Sequence, residues 1–214
     1  MITEGKYINE VADYCSDVIS GKKLAGKEVI MACQRFVNDI KSDKWDFVPT
    51  DADNVIDLLE LIFVHVKGED LNGESLVDKP FRFQTYQKFI IYNLLGFFVK
   101  GSKIRRYKEA FIFVPRKTGK TSFVAALAFG LCMLQRRSGA QMYIVSASGK
   151  QSYQGFEFVK KNIQAMGEEA SFRIADSQNM HRISTEFYDD DGNLTGSMAL
   201  ESLASNPDAQ DSFN

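Results

Sequence analysis

The run Val114-Pro115-Arg116-Lys117-Thr118-Gly119-Lys120-Thr121 gathers residue types that hold phosphate. A tight turn aims successive backbone N–H groups inward, and a helix starting at its end adds a partial positive charge. Lys120 is placed to reach the β and γ phosphates of a nucleotide. Thr121 would offer its hydroxyl to a Mg²⁺ ion, which takes oxygen ligands and keeps several waters. Gly119 has no Cβ to obstruct the approach. Arg116 adds a second cation, either a sensor of the γ-phosphate or plain surface charge. The run departs from GxxxxGK followed by Ser or Thr, because Val114 stands at the first glycine. Pro115 to Ser122 are therefore the expected nucleotide contacts, with Lys120 and Arg116 the candidate catalytic cations. Upstream, Gln87 carries an amide that can donate to a ring nitrogen of adenine and accept from its exocyclic amine, which would select ATP. Tyr86 or Phe83 would stack on the base or belong to the core.

Such a loop needs a strand before it and a helix after it. Ala110 to Val114 is a short apolar run that reads as the strand. Ser122 to Arg136 carries Val124, Leu127, Ala128, Leu131 and Leu134 at helical spacing, with Arg136 and Arg137 where the helix dipole favours cations. Gly139 breaks the pattern. Gln141 to Ala147 reads as a second strand, and after Ser148-Gly149 a helix places Phe156, Val159, Ile163 and Met166 on one face. This βαβα order implies an α/β fold with a parallel sheet and right-handed crossovers. Beyond Ser171, Arg182 to Tyr188 and Leu194 to Leu200 flank the turn signal Asp191-Gly192 and read as a hairpin.

The residues before the loop have a different character. Ile8, Val11, Ala12, Cys15 and Val18 share one helical face, and Val29, Cys33, Phe36, Val37 and Ile40 share another. A third helix starts at Asp51 or Asp53, buries Val55, Leu58, Leu59, Ile62 and Val66, and ends at Lys67-Gly68. Gly68 to Pro80 is the expected linker, and a helical segment then runs from Phe81 to Val99. The sequence thus divides into a helical region, 1–79, and a nucleotide-binding region, 80–214.

Composition narrows the function classes. With 44% apolar and 12% aromatic residues, the 214-residue chain can bury a sizeable core, which excludes disorder and collagen-like repeats. The longest apolar runs are too short to span a bilayer, so no membrane partner is expected and the cytoplasm is the expected compartment. Cys15, Cys33 and Cys132 lie far apart and read as reduced core residues. His65 and His181 have no partner at metal-ligand spacing. The net charge of −2 hides an asymmetry: all 26 Lys and Arg residues lie at or before Arg182 with 21 of the 28 acids, a net +5 there. Lys100 to Arg137 holds ten basic residues against Glu109 alone, which suggests phosphate groups nearby or a solvated basic face.

Taken in order along the chain, several segments resemble the large terminase subunit of tailed bacteriophages, the motor that packages DNA into proheads. They are Met31-Ala32-Cys33-Gln34-Arg35-Phe36, His65-Val66-Lys67-Gly68-Glu69 and Phe83-Gln84-Thr85-Tyr86-Gln87-Lys88-Phe89-Ile90. Leu95-Gly96-Phe97, the loop Pro115 to Thr121, and Ala140-Gln141-Met142-Tyr143-Ile144-Val145-Ser146-Ala147-Ser148 before Gln151 complete the match. The family's phosphate loop commonly lacks the first glycine and carries arginine at the place of Arg116. The resemblance implies a RecA-like P-loop ATPase domain that binds ATP and Mg²⁺ and works as a ring of identical subunits. It implies double-stranded DNA as substrate, the terminase small subunit and the portal protein as partners, and a bacterial host cell as the setting.

The resemblance also implies an apolar strand ending in Asp-Glu, then a metal-dependent nuclease. Phe187-Tyr188-Asp189-Asp190 runs into the turn and reads as hairpin, and no such strand precedes Asn214. An N-terminal portion of the enzyme, binding nucleotide with weak or absent turnover, is the resulting expectation. Arg173 and Arg182 lie where a trans-acting arginine would be. Lys100, Lys103, Arg105, Arg106 and Lys108 are candidates for contact with a DNA backbone. The competing readings are another P-loop enzyme such as a helicase, and a non-catalytic nucleotide-binding or assembly module.

Overall fold

The computed structural model describes residues 5–70, 72–134, 139–178 and 180–204. Two compact units interleave along the chain, one formed by Met1–Asp57 with Arg82–Phe113 and the other by Leu58–Phe81 with Val114–Asn214. This differs from the linear division at residue 79. The reason is packing: the helix after Phe83 completes the core of the first unit, whereas residues 58–81 pack within the second.

In the first unit, α1 (Ile8–Ile19) and α2 (Lys27–Ile40) present the stripes read from the sequence, with Ile8, Val11, Cys15 and Val18 buried on one and Cys33 and Phe36 on the other. A short strand, β1 (Trp45–Phe47), was not foreseen among these helices. It precedes α3 (Thr50–Ile62) and pairs antiparallel with β2 (Phe97–Val99), which follows α4 (Thr85–Gly96). The helix expected to reach Val99 thus stops at Gly96. There a Cβ would lie 2.9 Å from the Phe47 ring, so the strand pair can close only over a glycine. The Phe36 ring meets Phe47, Phe89 and Phe97 edge-on at 5.5–6.0 Å, an arrangement that adds to the burial of apolar area. Tyr92 is fully buried on α4; its hydroxyl donates to Asp53 and accepts the Tyr7 N–H at 3.0 Å.

The second unit contains α5 (Lys120–Leu134), β3 (Ala140–Ser146), α6 (Gly149–Met166), β4 (Arg173–Asp176), β5 (His181–Tyr188) and β6 (Leu194–Ala204). The sheet order is β3-β6-β5-β4. Only β3 and β6 are parallel; β5 pairs antiparallel with both β6 and β4. The fold is α/β as expected, with a mixed sheet in place of a purely parallel one. α5 is apolar all round, which suits a helix buried on most sides. α6 approaches closely because Gly155 faces Ile144 and Ala125, where a Cβ would lie 3.1 Å from Ile144. α6 ends at Gly167, in the left-handed conformation at φ 71°, with the Glu168 N–H returning to the Ile163 carbonyl. The hairpin turn is fixed by Asp189, whose carboxylate accepts the Asn193 N–H at 2.7 Å, and by Gly192 at φ 82°.

Three further expectations are corrected. Residues 68–80 are not an open linker: Val64 bridges Pro80 and Glu69 bridges Ser75, forming an antiparallel arm. The third helix accordingly ends at Ile62, and Val66 belongs to the arm. Residues 110–114 do not form a strand. An apolar run becomes a strand only when neighbours take up its backbone groups, and no described strand pairs with it. Phe111 and Phe113 are 91% and 86% exposed, with near-parallel rings 6.3 Å apart. Arg136 and Arg137 lie outside the described residues.

Candidate phosphate-binding loop

The loop enters α5 directly, with Lys120 and Thr121 as the first two helical residues. Two of its residues adopt left-handed backbone conformations, Lys117 at φ 66° and Gly119 at φ 74°. Such residues let a short loop turn its N–H groups toward one point. A Cβ at Gly119 would meet nothing within 4 Å, so the glycine is required by its backbone angle and not by crowding. Thr118, between them, donates its hydroxyl to the Pro115 carbonyl at 2.9 Å, and the Phe123 N–H bonds the Gly119 carbonyl at 2.9 Å as α5 begins.

Arg116, Lys117, Lys120 and Thr121 are exposed, with Ser122 half-buried beside them. Among the described residues, none of these three cations has an ion-pair partner. The first turn of α5 holds no acid to neutralise them. Three cations at a helix N-terminus therefore attract an anion through charge, dipole and N–H groups together.

Other basic residues singled out in the sequence are committed elsewhere. Lys100 pairs with Asp46 at 3.0 Å. Arg105 pairs with Asp51 at 2.6 Å and donates to the Leu95 carbonyl at 2.8 Å. Arg106 pairs with Asp39 and lies over the Trp45 ring at 4.2 Å. Arg105 and Arg106 thus serve the packing of the first unit, whereas the Lys100 pair is largely exposed. Lys103 and Lys108 remain exposed.

Tyr86 and Gln87 belong to the first unit, at the start of α4. The Gln87 carbonyl oxygen accepts the Gln84 N–H at 2.9 Å in a reciprocal capping box, and its amide nitrogen donates to the Tyr86 hydroxyl at 3.3 Å. Gln87 is buried, so its amide serves the helix start in this structure. Phe83 is also buried.

A second polar cluster escaped the sequence reading. Asp176 accepts from Lys160 and, at 3.2 Å, from the Tyr153 hydroxyl, while its other oxygen lies 2.7 Å from His181 Nδ1. Residues on α6 and at the facing ends of β4 and β5 meet there, a convergence no linear spacing reveals. Lys160 and His181 hold the Asp176 carboxyl below its usual range. Arg173 and Arg182 line an open groove of about 1340 Å³ beside Phe129 and Phe172. All three cysteines are free and buried, as expected. His65 packs on Phe81 at 5.3 Å, and burial lowers its pKa. No group of three or more His, Cys, Asp or Glu among the described residues is arranged to hold a metal. No helix among them is long and apolar enough to cross a membrane.

The profile of the family described as terminase large subunit, ATPase domain, matches residues 85–214. Among solved structures, the large terminase ATPase domain of Thermus phage P74-26 is similar at 18% identity, with a TM-score of 0.35, over 46% of this chain and 40% of that one. An arginine-to-alanine mutant of the same phage domain is similar at 16% identity, with a TM-score of 0.33, over 42% of this chain and 37% of that one. The chain thus spans well under half the length of either. Curated proteins gave no match.

Proposed function

Because this chain belongs to the family of terminase large-subunit ATPase domains, we propose that the loop Pro115 to Ser122 binds the phosphates of ATP. The observation that carries this reading is the meeting of two left-handed residues, Lys117 and Gly119, with three cations that have no ion pair among the described residues at the N-terminus of α5. Lys120 extends from the first residue of the helix to the β and γ phosphates. Arg116 neutralises charge that builds on the γ-phosphoryl group as it departs, the principal demand of phosphoryl transfer. Thr121 would hold Mg²⁺ through its hydroxyl, and no described carboxylate cluster competes for the ion. Bound there, Mg²⁺ would neutralise phosphate charge.

In this reading ATP hydrolysis drives double-stranded DNA into a prohead, within a homo-oligomeric ring that engages a small subunit and a portal. Lys103 and Lys108 are the basic-loop residues left to touch a DNA backbone. Calorimetry with ATP and Mg²⁺ on the wild type and on Lys120→Ala tests the site. The variant should lose at least about tenfold in affinity, roughly one charge-assisted contact. Equal affinity would sink the assignment.

A further inference from the structure

The loop holds two threonines three residues apart, and the structure gives their hydroxyls different work. Thr118 spends its hydroxyl on the Pro115 carbonyl, 2.9 Å away within the same loop. The Thr121 hydroxyl, exposed at the second position of α5, makes no hydrogen bond among the described residues. We propose that Thr118 is a positioning residue, a latch that pre-forms the phosphate loop, and that Thr121 alone of the two serves the ligand. The proposal rests on the nucleotide-binding reading and deepens it.

The latch acts where the loop is hardest to hold. Lys117 at φ 66° is a side-chain-bearing residue in a region that L-residues avoid, and left to itself it would relax to the right-handed side. Pro115 supplies the stiffer end, because its ring locks φ and leaves one backbone torsion fewer to order. A bond from residue 118 back to residue 115 closes the turn around Lys117, in the way Ser and Thr hydroxyls mimic a backbone turn. With the turn closed beforehand, binding no longer has to order it, and the N–H groups meet the phosphate already aligned.

Binding of ADP, measured by calorimetry with and without Mg²⁺, separates the two roles. Thr118→Val keeps the shape and removes the hydroxyl. It should weaken ADP by roughly two- to tenfold, the span of one modest hydrogen bond, equally in both conditions. Thr118→Ser should restore wild-type affinity. Thr121→Val should weaken ADP only when Mg²⁺ is present. Amide hydrogen exchange on the nucleotide-free full chain supplies the independent readout: residues 116–120 should exchange faster in Thr118→Val and at the wild-type rate in Thr118→Ser. Unchanged exchange in Thr118→Val would overturn the latch, as would a loss of affinity confined to Mg²⁺. If the wild type bound no ADP, the nucleotide-binding reading would fall, while the exchange rates would still decide the latch.

Discussion

Asn162 Oδ1 accepts the backbone N–H of Val64 at 2.7 Å, while Asn162 Nδ2 donates to the Phe158 carbonyl at 3.0 Å. One fully buried amide on α6 thereby pins the start of the arm at 64–80. Phe63 beside it packs on Phe129 and Phe158, so the polar pin sits within an aromatic cluster. Asn162→Ala leaves the half-buried Val64 N–H without its partner and should cost about 1 kcal/mol of stability. Denaturant unfolding of the variant checks this, and a loss below about 0.5 kcal/mol would show that the arm is held by packing alone.

Gln87 is expected to matter without any nucleotide. Gln87→Ala removes half of the capping box at α4 and should lower stability by about 1 kcal/mol in thermal unfolding of the free protein. An unchanged Tm would return the amide to a purely ligand-facing role.

Arg106 and Lys108 are two residues apart and should behave oppositely. The Arg106 and Asp39 side chains are 14% and 15% exposed, and Arg106→Ala strands a nearly buried carboxylate at a cost of about 3 kcal/mol. Lys108→Ala and Lys103→Ala should stay within about 0.5 kcal/mol of wild type. Comparable losses for all three would contradict the division between fold-holding and free cations.

Lys117→Gly and Lys117→Ala remove the same charge but differ in backbone freedom. A left-handed residue costs alanine about 1–2 kcal/mol, and the extra entropy of an unfolded glycine offsets about half of that. The glycine variant should therefore be the more stable by about 0.5–1 kcal/mol in urea. Equal stabilities would indicate that residue 117 leaves φ 66° once its lysine is gone.

Asp176 links stability to pH. Its carboxyl pKa is lowered by Lys160 first and by His181, so the unfolded chain binds this proton more readily than the folded one. The stability it contributes is complete above the ordinary aspartate value of about 4 and is lost as pH falls through the lower folded value. Asp176→Asn should flatten that part of a stability–pH curve. A wild-type curve that is already flat between about pH 5 and 2 would count against the cluster.

Much of the helical content could be read from the sequence, since α1, α2 and α6 carry long stripes at helical period and α5 a long apolar pattern. The hairpin of β5 and β6 was legible from Asp191-Gly192, because turn chemistry is local. β1 was not: three residues carry no period, and Trp45 to Phe47 become a strand only by meeting β2. β4, with four residues, is nearly as short and depends on β5. At the site, glycine and lysine in the loop were legible from residue type. That Arg105 and Arg106 serve the fold was not, because Asp51 and Asp39 lie more than fifty residues away in the chain.

The interleaving of the two units bears on how the protein is made. The buried faces of α1 and α2 emerge first from a ribosome, but Phe89, Tyr92 and Phe97, which complete their core, lie within Arg82–Phe113. Residues 58–81, emerging between them, belong with partners that are synthesised later still. The early helices must therefore wait with apolar faces uncovered until residue 113 has left the exit tunnel, a period in which a chaperone has a target. A gene cut at codon 79 would prolong that exposure indefinitely, whereas a cut at codon 113 would release the first unit with its aromatic core complete.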